Sequence, residues 1–250
     1  MLEFADFNSK VAVVTGAAGA IGQSVVKLLA SNGASVVATD LHEAQLRETY
    51  EHLLGSVDIR CLDVTNAEDS RRLAADIQAQ YGRLDVWINN AGILERQAAL
   101  EISADDWRRH IEINLNGTFF GSQAAASVMA KNGGGSIVNL SSFAGTRARP
   151  GVPHYATAKA AVAHLTQCLA LEWGKVKIRV NAIAPGYIQT PMTSWLHSDP
   201  AYAAPFLEKT PLGRLGQPDE IAEHILYLAS DVSSFMTGNI LVVDGGVRLS

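Results

Sequence analysis

Residues 11–22 read Val11-Ala12-Val13-Val14-Thr15-Gly16-Ala17-Ala18-Gly19-Ala20-Ile21-Gly22. The β-branched run at the front has the length and composition of a buried strand. It passes straight into a turn with glycine at Gly16, Gly19 and Gly22. After the turn, Val25, Val26, Leu28 and Leu29 recur at helical spacing. Strand, glycines and helix in that order put unpaired helix N–H groups at a turn that a pyrophosphate can approach closely. A glycine-rich turn that binds nothing has the same local pattern, so the rest of the chain must separate the two.

Outward from that turn the pattern repeats. A second strand, Ala34 to Thr39, ends in Asp40, about 20 residues on, where an acid accepts hydrogen bonds from the adenosine ribose. A 2'-phosphate there would meet a like charge, so Asp40 favours NAD over NADP. An ordinary strand-end aspartate is the other reading of that residue taken alone. Helical and strand patterns then alternate through Glu43–Leu54, Asp58–Leu62, Ala67–Tyr81 and Leu84–Ile88. The alternation predicts an α/β fold: a single-domain, Rossmann-like, doubly wound parallel sheet over residues 1–250, with helices on both faces. Ligands of such sheets bind beyond the strand carboxyl ends, where Asp63-Val64 and Asn89-Asn90-Ala91-Gly92 fall.

In the second half, Ser103 with Asp105 and Asp106 opens a helical pattern that runs to Lys131, interrupted at Asn114-Leu115-Asn116-Gly117. Asparagine and glycine inside an apolar helix cost stability, which points to a local functional reason. A strand, Ser136–Leu140, ends at Ser141-Ser142, and the next helix runs from Tyr155 to Trp173. A further strand, Ile178–Ile183, leads into Ala184-Pro185-Gly186. Residues 187–217 hold four of the eight prolines and no sheet pattern, so this stretch reads as a lid or binding loop. A last helix from Pro218 and a last strand, Asn239–Val243, follow.

Composition removes several classes. With 48% hydrophobic and 18% charged residues, the 250-residue chain can build a sizeable core and is not disordered. A net charge of -5 argues against a nucleic-acid partner. No apolar run reaches membrane-spanning length, and Met1 to Lys10, with Glu3 and Asp6, lacks a signal-peptide apolar region. A soluble cytoplasmic protein is the expectation. Cys61 and Cys168 sit in apolar segments and are expected to be buried free thiols, with no metal or disulfide pattern around them.

Chemistry is concentrated in His154-Tyr155-Ala156-Thr157-Ala158-Lys159. Tyrosine and lysine four residues apart share a helix face. A free phenol, with a pKa of about 10, is a poor base at neutral pH. An ammonium one turn away favours the phenolate.

Together, Thr15-Gly16 through Gly22, Asp63-Val64, Asn89-Asn90-Ala91-Gly92, Asn114, Ser142, Tyr155, Lys159 and Pro185-Gly186 through Thr190 resemble the short-chain dehydrogenase/reductase family, in its branch of roughly 250 residues. The resemblance covers essentially the whole chain. One departure stands out: the family has glycine at the first, fifth and seventh turn positions, here Gly16, Ala20 and Gly22, and Gly19 comes one position early.

The resemblance implies that Tyr155 exchanges a proton with the substrate oxygen while hydride moves to or from a nicotinamide. Lys159 would lower the tyrosine pKa and hold the nicotinamide ribose, Ser142 would orient the substrate oxygen, and Asn114 would fix a water in a proton relay. Cofactor positions would be Gly16, Gly19, Ala20, Ile21, Gly22, Asp40, Asp63, Val64, Asn90, Ala91, Gly92, Pro185 and Gly186, with Ile188 and Thr190 at the carboxamide. The family is commonly tetrameric, so a homotetramer is expected through the 105–131 helix, the Tyr155 helix and the C-terminal strand. Ala124, Ala125 and Ala126 would permit close helix approach there, though they also suit an internal core.

The substrate pocket would draw on Leu94, Glu95, Arg96, Arg147, Arg149, His154, Tyr187, Met192 and Trp195. Arg147 and Arg149 either hold an acidic substrate group or are solvated loop charges. The expected activity is NAD-linked oxidation of a small secondary alcohol, cyclic or polyol-like, or reduction of its ketone. The runner-up is an NADPH-linked 3-oxoacyl-(acyl-carrier-protein) reductase, with Lys131, Lys175 and Lys177 as docking charges. A dinucleotide sensor without chemistry is a third reading, which the four catalytic positions disfavour.

Overall fold

The computed structural model describes residues 7–51 and 57–250. Its centre is β1 (Val11–Thr15), in a sheet ordered β3-β2-β1-β4-β5-β6-β7. The other strands are β2 (Ser35–Asp40), β3 (Val57–Cys61), β4 (Val86–Asn89), β5 (Gly135–Leu140), β6 (Ile178–Pro185) and β7 (Ile240–Val243). All neighbours pair in parallel. The order reverses between β1 and β4, and that switch opens a crevice at the strand carboxyl ends.

Strand periodicity sorts the core into two layers. Ala12 and Val14 of β1 and Val86 and Ile88 of β4 face α1 (Ala20–Ser31) and α9 (Pro218–Ala229). Val11, Val13 and Trp87 face the other side, against α3 (Ala67–Tyr81), α5 (Gly117–Met129) and α6 (Pro153–Trp173). A seven-residue helix α2 (Glu43–Thr49) follows β2. The expected helix Glu43–Leu54 therefore stops early, and its last three residues lie outside the described ones, as do Glu3 and Asp6.

Several expectations change. The pattern from Ser103 to Lys131 is not one helix. Ser103 caps α4 (Ala104–Ile111) by accepting the Asp106 N–H at 3.0 Å. A π-helical segment, Glu112–Asn116, then joins α4 to α5. Such wide turns insert a residue into the helix and often mark functional sites. Residues 187–217 are not all loop but include two short helices, α7 (Ser194–His197) and α8 (Pro200–Glu208). Pro191 and Pro200 take first-turn positions, where the missing N–H costs nothing, so these prolines start turns rather than forbid them.

Ala124, Ala125 and Ala126 are buried in the α3–α5 layer and belong to the internal core, leaving little of their surface for helix approach between subunits. Cys61 and Cys168 are exposed, not buried, because Cys61 closes the edge strand β3 and Cys168 lies on the outer face of α6.

Candidate active site

A cavity of about 670 Å³ opens at the carboxyl ends of β1, β2, β4, β5 and β6. Its first wall is the glycine turn. Gly16 has φ +62°, and a Cβ there would lie 2.7 Å from Ala91 Cα. A Cβ on Gly22 would lie 2.4 Å from Gly16 O, so the turn closes only with glycine at both ends. Gly19 is the N-cap of α1 and provides no side-chain cap, which leaves the first-turn N–H groups of the helix for a ligand. Ala20 and Ile21 of that first turn line the cavity, as do Gly16 and Gly19; Gly22 is behind the wall. The early glycine thus sits in ordinary extended backbone at a helix start and does not disturb the turn.

Asp40 stands at the end of β2, also in the lining. Its carboxylate accepts the Ala18 N–H at 3.2 Å and the Leu41 N–H at 2.8 Å, which fixes its direction while leaving lone pairs for hydroxyl donors. Gln23 and Gln45 are among the lining residues that escaped the sequence reading. Gln23 Nε2 braces Ala18 O at 2.8 Å, and the buried Tyr50 hydroxyl braces Ala17 O at 2.7 Å. Helix N–H groups at one place, and a fixed carboxylate for ribose hydroxyls at another, fit an adenine dinucleotide.

The β4 end makes the middle of the floor. Asn90, Ala91 and Gly92 line the cavity, but the Asn90 amide is spent on Thr15 O and Gly16 O, both at 2.9 Å. Asn90 therefore clamps the glycine turn. Asn89 belongs to a buried chain that runs from Trp87 through Ser122 and Asn139 to Thr166. Asp63 and Val64 lie outside the lining: Asp63 holds Thr65, and Val64 packs against Gly117.

At the far end Ser142, Tyr155, Lys159 and Asn114 share the cavity. Ser142 follows β5, and Tyr155 and Lys159 sit one turn apart on α6. The neighbouring Ser141 hydroxyl donates to Lys159 O at 2.8 Å. Burial raises the Tyr155 phenol above its ordinary range, and a hydrogen bond from Ser142 pulls it back. Lys159 is 3% exposed, donates to Leu140 O at 2.8 Å, and lies 5.7 Å from the Tyr155 ring centre. Burial lowers its own pKa to about 8. Ser142 is thus the neighbour whose hydrogen bond draws the phenol down.

Asn114 projects from the π-helical segment. Its amide donates to Ile93 O at 3.1 Å and His110 O at 3.0 Å, and its carbonyl accepts from Ile93 N at 3.2 Å. A Cβ on Gly92 would sit 2.7 Å from Asn114 Oδ1 and 3.4 Å from Lys159 Nζ, so glycine is required for the two side chains to converge there.

The remaining wall comes from Leu94, Arg96, Phe143, Arg149, Tyr187, Met192 and Trp195, with Pro185, Gly186, Ile188 and Thr190 where β6 runs out. Three pocket candidates lie elsewhere. Arg147 donates to Val247 O at 2.7 Å, Glu95 pairs with Arg109, and His154 is fully buried against His110. His110 carried no sequence signal, because its role depends on a helix distant in the chain.

Comparison with known proteins agrees with this geometry. Residues 16–248 match a family model described as enoyl-(acyl carrier protein) reductase. The chain is 41% identical to a 3-oxoacyl-(acyl-carrier-protein) reductase of Thermotoga maritima, over 96% of this chain and 98% of the relative. It is 42% identical to cis-4-hydroxycyclohexanecarboxylate dehydrogenase of Sinomonas cyclohexanicum, over 96% and 97%. The crystal structure of a gluconate 5-dehydrogenase from Burkholderia cenocepacia, in complex with NADP and tartrate, superimposes with a TM-score of 0.93 at 32% identity, covering 99% of each chain.

The chain belongs to the short-chain dehydrogenase/reductase family. Within it, the chain is an oxidoreductase that uses a nicotinamide cofactor and acts at CH–OH or keto groups.

Proposed function

We propose that the protein is a dehydrogenase of small secondary alcohols that prefers NAD(H) to NADP(H), with Tyr155 as its general acid/base. One observation carries this reading: Asp40 stands at the ribose end of the same cavity that holds Ser142, Tyr155 and Lys159. A fixed carboxylate at that place accepts ribose hydroxyls and repels a 2'-phosphate. The nicotinamide, when bound, supplies the hydride acceptor or donor. The chain's own residues do the rest. Ser142 orients the substrate oxygen, Tyr155 takes or gives its proton, and Lys159 holds the ribose and passes the proton on beside Asn114. The name of the hydroxycyclohexanecarboxylate relative supports a small, cyclic secondary alcohol.

The carrier-protein reading is weaker on a specific ground. Lys175 and Lys177 precede β6, and Lys131 follows α5 ahead of β5, so all three lie towards the amino ends of the strands, away from the cavity. They offer no docking charge at its mouth. Homotetramer formation, a single functional domain and a cytoplasmic location belong to the same proposal. Among the described residues, no helix is long and apolar enough to cross a membrane. Support for assembly comes from Leu171 on α6 and Phe235 before β7, which expose large apolar side chains.

A screen of neutral alcohols, sugars, hydroxy acids and 3-oxoacyl thioesters with both cofactors, read at 340 nm, tests the activity. The best turnover is expected from a small secondary alcohol, neutral or carrying an acid group, with NAD. Best turnover from an acyl-carrier thioester with NADPH would reverse the assignment.

A further inference from the structure

Two guanidinium groups line the cavity with no carboxylate paired to them among the described residues. Among the described residues, eight arginines form ion pairs with acidic side chains. Arg96, after β4, and Arg149, before α6, form no such pair among the described residues, yet both face the catalytic cavity. The nearest acid in sequence, Glu95, is committed to Arg109.

Aromatic faces hold them instead. Arg96 lies 4.1 Å from the centre of the Trp195 ring. Arg149 lies 5.0 Å from the centre of Phe143 and 4.8 Å from that of Tyr187. These two rings meet edge to face at 5.0 Å. Stacking fixes a guanidinium plane without consuming the N–H donors at its edge. The two loops are joined, since Gln97 N donates to Gly151 O at 2.8 Å, and a Cβ on Gly151 would lie 3.7 Å from Arg96 Nη2. Burial raises the Tyr187 phenol; the charge of Arg149 and its hydrogen bond to the phenol oppose the rise, followed by the charges of Arg96 and Arg147. A guanidinium with five N–H donors keeps the others for a ligand. Arg147 is excluded from the pair because Val247 O takes it and it does not line the cavity.

Two like charges facing one cavity repel each other and create a positive field at its mouth. An anionic group removes that repulsion, and a carboxylate matches the guanidinium fork. We propose that Arg96 and Arg149 form a carboxylate subsite, and that the alcohol oxidised at Tyr155 and Ser142 is a hydroxy acid. The inference rests on the dehydrogenase reading above. In the reaction the CH–OH carbon gives its hydride to the nicotinamide and its O–H proton to Tyr155. The carboxylate is unchanged and serves only to hold the substrate.

The test compares 4-hydroxycyclohexanecarboxylate and 3-hydroxybutyrate, each with its methyl ester, using the wild-type enzyme and NAD. The acid is expected to exceed its ester in kcat/KM by tenfold or more. Arg149→Leu, and Arg96→Leu with it, should erase most of that preference, mainly through KM. Equal kcat/KM for acid and ester, turnover of neutral alcohols alone, or a preference that survives the double variant would overturn the subsite while leaving the dehydrogenase in place. No turnover of any alcohol in the screen would sink the dehydrogenase reading first. Should the variants not fold, inhibition of the wild type decides: cyclohexanecarboxylate should inhibit at a concentration tenfold or more below cyclohexanecarboxamide, and equal inhibition rejects the subsite.

Discussion

The imidazole of His154 lies flat on that of His110, with ring centres 3.6 Å apart and planes within 16° of parallel. Both residues are fully buried. His154 Nδ1 accepts the backbone N–H of Tyr155 at 2.8 Å. His110 Nδ1 donates to Asp106 O at 2.8 Å, and its Nε2 accepts the Glu95 N–H at 3.3 Å. Both rings must be neutral to accept these bonds. The stack ties the start of the Tyr155 helix to the helix whose His110 carbonyl holds Asn114.

Acid should therefore loosen the site. Burial, and then the neighbouring His110, lower the His154 pKa below 6.5, against smaller opposing effects of Glu95, Asp106 and the Val152 backbone; Arg109 is the cation paired with both carboxylates. Below pH 6.5 the unfolded chain binds a proton that the folded one resists, so stability is full above that value and falls as the pH drops. Thermal melts at pH 7.5 and 5.5 should show a larger loss for wild type than for His154→Phe, which stacks but cannot charge. Equal losses would detach this histidine from the acid response.

Tyr155→Phe keeps the ring and deletes the transferable proton. Turnover should fall by about 10² or more, while NADH still binds, as read by its fluorescence. Near-full turnover would mean that another group supplies the proton.

Lys159→Met should abolish activity and yet stabilise the protein at pH 7. The buried ammonium, with its pKa lowered from 10.5 to about 8, carries a charging cost that is fully present below pH 8. That cost fades as pH rises through 8 towards 10.5, because the unfolded chain there holds the proton that the folded chain has lost. Allowing for the lost bond to Leu140 O, a gain of about 1–2 kcal/mol is expected at pH 7. Denaturant melts at pH 7 and pH 10 should show the gap narrowing; a variant less stable than wild type at pH 7 contradicts it.

Asp40→Ala removes the carboxylate at the ribose end. The ratio of kcat/KM with NAD to that with NADP should fall by tenfold or more, about 1.4 kcal/mol. An unchanged ratio would leave Asp40 as a brace for Ala18 and Leu41 alone.

Light scattering at micromolar concentration should report a tetramer. The surfaces to test are those carrying Leu171 and Phe235, which are 84% and 104% exposed in the single chain. A monomer under these conditions would reject assembly.

Sequence alone determined the sheet class, the glycine turn, Asp40 and the Tyr155–Lys159 pair. Each is a local pattern: β-branched runs, a helix start, a strand-end acid, and a spacing of four on one helix face. Tertiary structure decided whatever depends on contacts between distant segments. It chose Arg96 and Arg149 over Arg147, because only Val247, brought back from the C-terminus, takes Arg147 out of the pocket. It stacked His154 on His110, put Lys131, Lys175 and Lys177 away from the cavity mouth, and placed Ala124–Ala126 in the core. A helical or strand period says which residues share a face; only the packed neighbours say what that face meets.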